Sequence, residues 1–193
     1  MLGLKLKTDK RWADLAESSL EDLLTDHAYC EMKAASHCIS VIQSYPEKKE
    51  LVEKLMPIVS EEWGHFRMVL NELYKRGMEL GRQRKDDYVN LLLKNKKKGG
   101  DRDAQLLEEL MICALIEARS CERFRILSEN LEDKDMANFY RSFMISEAGH
   151  YRLFMDLAKL YFDETLVKNR WEEYLKIESN IIDQLSLRGD RVH

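Results

Sequence analysis

Two stretches 85 residues apart repeat one pattern: EEWGHFR at Glu61–Arg67 and EAGHYR at Glu147–Arg152. Both read Glu, any residue, Gly, His, an aromatic, Arg, and both lie in segments whose apolar residues recur at three- and four-residue steps, the period of a helix. Glu62 shares its face with Leu55, Ile58, Val59, Phe66, Val69 and Leu70, and Glu147 with Tyr140, Phe143, Met144, Tyr151, Phe154 and Met155. A carboxylate and an imidazole three residues apart on an apolar stripe are costly to bury unless something compensates them. With 21 Glu and five His in 193 positions, one Glu-x-x-His carries little weight. Two copies in matched surroundings require a fold that gives each a partner.

The helices that could supply those partners follow from punctuation and period. Only two prolines and eight glycines interrupt the chain, so long uninterrupted elements are expected. Ser19-Leu20-Glu21-Asp22 resembles a capped start, and the run from there to Ser44 predicts a helix of about 25 residues. Pro46 suits the opening turn of a second helix reaching Gly77, kinked at Pro57. A third helix is expected from about 101 to 130, a fourth from about 133 to 162, and a last amphipathic helix from about 164 to 187. Between 77 and 102 lies a long crossover with one short apolar piece around Tyr88–Leu93. Two helical hairpins, a long crossover and additional peripheral helices describe an all-α, ferritin-like four-helix bundle. The chain is expected to form one domain over 1–193, with its core over about 19–163.

The first helix of each hairpin carries one acidic residue on its own apolar stripe. Glu31 sits among Leu24, Ala28, Ala35 and Cys38, and Glu117 among Leu110, Cys113, Ala114 and Phe124. Glu31 precedes Glu62 by 31 residues and Glu117 precedes Glu147 by 30, so the hairpins match in length. Four carboxylates and two imidazoles in one core call for divalent cations, because no basic residues occupy the same faces. Such a set, a Glu from each of two helices and Glu-x-x-His from the other two, resembles the ferritin-like di-iron family. That resemblance implies Glu31 and Glu117 as terminal ligands, Glu62 and Glu147 as bridging ligands, and His65 and His150 as one nitrogen for each iron. Gly64 and Gly149 are expected to let helices approach closely, at about 1 kcal/mol of helix propensity each. Glu61 and Glu122, the alternative ligands, face basic neighbours and read as a solvated or salt-bridged surface; His27, one turn before Glu31, could support that ligand from behind but reads rather as a core or rim histidine.

Charge separates the crossover from the rest. Between Lys75 and Arg102 ten basic residues face four acidic ones, a balance of +6 in a chain of net -4, which leaves -10 elsewhere. Arg82, Arg84, Lys85, Lys94, Lys96, Lys97 and Lys98 suit a polyanionic partner, since cations gain affinity by releasing counterions from phosphates. No apolar run reaches the roughly 20 residues of a membrane span. The N-terminal stretch has no signal-peptide pattern, so a cytoplasmic location is expected. Cys30, Cys38, Cys113 and Cys121 form no CxxC pair and read as reduced thiols packed in helices.

Four stretches, DHAYCEMKAA around Glu31, SEEWGHF around Glu62, LIEARSCERF around Glu117 and SEAGHYRLF around Glu147, make residues 15–165 similar to the MiaE tRNA hydroxylases. The resemblance implies a non-haem di-iron monooxygenase that hydroxylates the isopentenyl group of 2-methylthio-isopentenyl-adenosine next to the anticodon. It implies O2 as co-substrate, two iron ions, and two electrons from an external reductase or ferredoxin, with the basic crossover residues holding the tRNA. The competing expectation is a ferritin-like iron-handling or peroxide-scavenging protein with no tRNA substrate, and a third is a di-manganese catalase-like site.

Overall fold

The computed structural model describes residues 2–193, which form seven helices and, among them, no strand: α1 (Arg11–Ser18), α2 (Leu20–Ser44), α3 (Lys49–Lys75), α4 (Asp87–Lys94), α5 (Arg102–Asn130), α6 (Lys134–Tyr161) and α7 (Glu164–Gln184). Aspartates set four of the starts. The side chains of Asp86, Asp101, Asp133 and Asp163 accept from backbone N–H groups in the first turns of α4, α5, α6 and α7, satisfying donors that have no partner within the helix. Ser19 does stand at the N-cap of α2, but its side chain makes no capping bond, so the expected capping box is absent. Helix α3 runs on through Pro57, whose ring faces outward and whose missing N–H forgoes one helical bond. Two short helices lie outside the expected long ones. Helix α4 occupies the apolar piece of the crossover, and α1 precedes the expected core and buries Trp12 completely.

The chain divides into two compact units. One comprises Asp14–Lys85 and Arg188–Val192 and is built on the α2–α3 hairpin. Its turn puts Tyr45 in the interior, and Leu23, Leu24, Ala28 and Ala35 of α2 are buried, as are Leu51, Leu55, Val69 and Leu73 of α3. Each such side chain contributes about 1.5–3 kcal/mol by leaving water. The C-terminal segment is strapped to this hairpin. Arg84 donates to the side chains and backbone carbonyls of both Asp22 and Asp190, and the Val192 N–H donates to Asp26 at 2.9 Å. Gly189 passes so close to Leu15 that a Cβ there would lie 2.1 Å from its backbone.

The other unit comprises the chain up to Ala13, Asp86–Leu187 and His193. Helix α5 is its axis: 18 of its 29 residues are buried, so it has no solvent face and must satisfy its polar side chains internally. Arg119, with no exposed surface, donates to Glu178 of α7, to Glu122, to the Thr8 hydroxyl and to the Leu6 carbonyl. Glu108 accepts from Arg170 twice and from the Tyr174 hydroxyl, all at 2.6 Å, and from the Lys97 backbone N–H at 2.9 Å. Glu178, despite Arg119, has its pKa raised because burial outweighs the cation. Glu108 goes the other way: burial would raise it, but Arg170, Tyr174 and Lys97 together hold it below the usual carboxylate range.

Candidate metal centre

In the α2–α3 unit the helical period brings Glu62 and His65 onto the inward stripe of α3, and Glu31 onto that of α2. All three are buried, and they offer one ligand atom each within 4.8 Å of one another. His65 Nδ1 lies 3.2 Å from Glu62 Oε2 and 3.4 Å from Glu31 Oε2. The electrostatics show what this arrangement lacks. Burial raises the Glu31 pKa, and the neighbouring Glu62 carboxylate raises it further. Burial alone would depress the His65 imidazole, yet Glu31 and Glu62 outweigh it and hold its proton up to about 9. Two carboxylates from two helices thus converge on one imidazole nitrogen, and its proton supplies the positive charge that faces them both. A divalent cation meets the same demand with twice the charge.

The other unit repeats the arrangement. Glu117 on α5 and Glu147 and His150 on α6 are buried, and their ligand atoms also lie within 4.8 Å of one another. His150 Nδ1 is 3.8 Å from Glu117 Oε2. The same two helices bury Phe124, Tyr140 and Phe143, with Phe124 stacked on Tyr140 at 5.5 Å between centroids. The donor set, carboxylate oxygen and imidazole nitrogen without thiolate, suits iron, manganese or zinc ions. Each candidate ligand therefore sits where the periodicity put it, three in one unit and three in the other.

Two expectations need correction, and a third is refined. His27 lies in the core, as expected, and it also has a role beside the ligands: its Nε2 lies 2.6 Å from Glu31 Oε1, where it orients that carboxylate from behind. The i, i+4 spacing in the sequence is the signal for this contact. Glu122 is salt-bridged as expected but is not on the surface; it is 4% exposed and also accepts from the Thr8 N–H and hydroxyl. The glycines do not mark close helix approach. A Cβ at Gly64 or Gly149 would meet nothing within 4 Å, and Gly149 is exposed. The four cysteines are all free thiols, as expected.

The basic crossover is less uniform than its charge count. Arg84 is occupied by the C-terminal strap, Lys96 by Glu109, and Lys97 by Glu173 at 2.8 Å. Arg82, Lys94 and Lys98 are exposed and make no ion pair among the described residues, and Lys85 is exposed beside them in sequence.

A family model described as tRNA-(MS[2]IO[6]A)-hydroxylase (MiaE) matches residues 2–193. A relative from Pseudomonas putida (strain KT2440), named tRNA 2-(methylsulfanyl)-N(6)-isopentenyladenosine(37) hydroxylase, is 35% identical over 157 residues, which cover 81% of this chain and 75% of its own. A relative of the same name from Salmonella typhimurium (strain LT2) is 29% identical over 226 residues, covering 93% of this chain and 83% of its own. Among solved structures, Protein 43 with aldehyde deformylating oxygenase activity from Synechococcus superposes with a TM-score of 0.92 at 30% identity, over 98% of this chain and 94% of that one. The all-α, ferritin-like fold class expected from the sequence is the one observed.

Proposed function

The chain belongs to the MiaE family of tRNA hydroxylases, and from that premise we propose that it hydroxylates the isopentenyl group of 2-methylthio-isopentenyl-adenosine next to the anticodon in tRNA. The observation that carries this reading is the family match over 2–193 in a chain that buries the same Glu/His triad twice. Fold likeness would not choose the substrate, since the Synechococcus neighbour bears the name of a different oxygenase. Iron handling or peroxide scavenging without a tRNA substrate is set aside by the family match.

Glu31, Glu62 and His65 together with Glu117, Glu147 and His150 would hold two iron ions. The donor set fits them, because four carboxylates neutralise two divalent ions and each imidazole completes one. Bound iron supplies the activation of O2, chemistry that no protein side chain provides. The balance is one C–H bond and O2, with two electrons and two protons, giving one C–OH and water. The electrons would come from an external reductase or ferredoxin. The chain's own contribution is positional: His27 fixes Glu31, and the burial of Glu117 and His150 keeps water from them. Of the seven basic crossover residues, Arg82, Lys94 and Lys98 are the better candidates for tRNA contacts; Arg84, Lys96 and Lys97 would have to leave carboxylates first. No helix among the described residues is long and apolar enough to cross a membrane, and tRNA as substrate supports a cytoplasmic location.

The test is nucleoside analysis of tRNA carrying the prenylated adenosine, incubated with iron-loaded protein, O2 and a reducing system. A hydroxylated nucleoside is expected, together with about two irons per chain by elemental analysis. Unchanged nucleoside with a full iron complement would refute the assignment, and manganese in place of iron would refute the metal.

A further inference from the structure

Helix α3 carries an outer face that neither its core nor its metal ligands explain. At 3.6 residues per turn, Met56, Trp63, Arg67 and Tyr74 lie within about 40° of one another around the helix, and Trp63 stands about 100° from Glu62. A core stripe would be buried. Met56 is 53% exposed, Trp63 49% and Tyr74 57%, and Arg67 is exposed as well. Arg67 makes no ion pair and the Tyr74 hydroxyl no hydrogen bond among the described residues. Trp63 is braced from one side by Phe66, with ring centroids 5.0 Å apart and planes inclined by 32°. On its other side Gly64 contributes no side chain, and the space a Cβ would enter is open to 4 Å.

The repeat shows that the metal grip does not need these rings. At the equivalent positions 85 residues on, α6 has Arg141, Ala148, Arg152 and Lys159 in place of Met56, Trp63, Arg67 and Tyr74. The cation at the Arg67 position is kept and both aromatics are gone. Two exposed rings about 16 Å apart along one helix, with an unpaired guanidinium between them, fit single-stranded RNA. Each base offers a π-face to stack and each linkage a phosphate for the arginine. A second copy of the chain fits poorly, since it would bury Arg67 on a face with no acidic residue to pair it.

We infer that this face of α3 is a stacking track for unpaired anticodon-loop bases beside the modified adenosine: Trp63 and Tyr74 each hold a base and Arg67 a phosphate, in the same helical turns as Glu62 and His65. The inference rests on the tRNA hydroxylase reading above and deepens it. The test measures binding of tRNA carrying the prenylated adenosine to iron-loaded wild type and to Trp63→Ala, Trp63→Phe, Tyr74→Ala and Arg67→Ala, with metal content and sedimentation of each.

Trp63→Ala and Tyr74→Ala are expected to weaken binding about tenfold each, Trp63→Phe to restore most of it, and Arg67→Ala to lower the salt slope by about one. Metal content should not change. If both alanine variants bind as wild type does, the track is refuted while the hydroxylase reading stands. If wild type itself does not bind, that reading fails and the track with it. A dimer that Trp63→Ala splits, at unchanged RNA affinity, would assign the face to a second copy and overturn the inference.

Discussion

Replacing Arg119 with Met should separate burial from charge in the α5–α7 contact. Glu178 accepts from Arg119 through Oε1, while its Oε2 accepts no hydrogen bond among the described residues, so the variant strips it of its bonded cation and leaves only the weaker influence of Arg123. Glu122 is less exposed to the change, because the Thr8 N–H and hydroxyl still donate to it. Breaking a buried pair by removing one partner costs about 3–5 kcal/mol. For a chain of 150–250 residues that lowers Tm by roughly 6–20 °C, at about 2–4 °C per kcal/mol.

The deficit should depend on pH in a definite direction. Burial already raises the Glu178 pKa above its ordinary 4.5, so the folded state favours the protonated acid. A group raised in this way contributes stability below its unfolded pKa and loses it as pH rises through the folded one. Without Arg119 the rise is larger. The variant is therefore weakest at neutral and alkaline pH and regains stability as pH falls toward 4.5. Melting followed by circular dichroism at pH 5 and pH 8 reads this directly, and Glu178→Gln in the variant background should recover part of the loss at pH 8. A deficit of equal size at both pH values, or a change in Tm below about 2 °C, would refute the reasoning.

Three further outcomes follow from the geometry. Glu31→Ala or Glu117→Ala should lower the iron bound per chain, and added ferrous iron should raise the Tm of wild type more than that of either variant, because a ligand that binds only the folded state stabilises it. Gly64→Ala and Gly149→Ala should each stabilise by about 1 kcal/mol, since both positions are helical and the new methyl meets nothing; a fall in Tm would show that the glycines serve an approach not seen here. Gly189→Ala should drive residues 188–192 off Leu15, detectable as faster amide exchange at Val192, whose N–H is otherwise held by Asp26; unchanged exchange would contradict the 2.1 Å contact.

The long helices were legible because their apolar residues keep the helical period and their ends carry local signals such as Asp101, Asp133 and Asp163. The six candidate ligands were legible for the same reason, a polar residue on an apolar stripe being conspicuous. What escaped was decided by partners far away in sequence. Arg119 and Glu122 read as a surface i, i+3 pair until Thr8 and Glu178 cover them, contacts 111 and 59 residues from Arg119. Helix α1 is only eight residues long and holds through Trp12, over which the Arg123 guanidinium lies at 5.0 Å, a contact no local window contains. Gly64 was misread because a helical glycine looks alike in sequence whether a neighbour crowds it or solvent does.

The two buried ion pairs between α5 and α7 have a further consequence. Read toward the C-terminus, α5 offers a negative group and then a positive one, Glu108 and Arg119, while α7 offers Arg170 and then Glu178. The signs match only when the two helices point the same way. Turned end for end, α7 would set Glu178 against Glu108 and Arg170 against Arg119, two like-charge meetings in a place without water. Apolar side chains alone would tolerate either orientation; these four act as a polarised plug that enters its socket one way round.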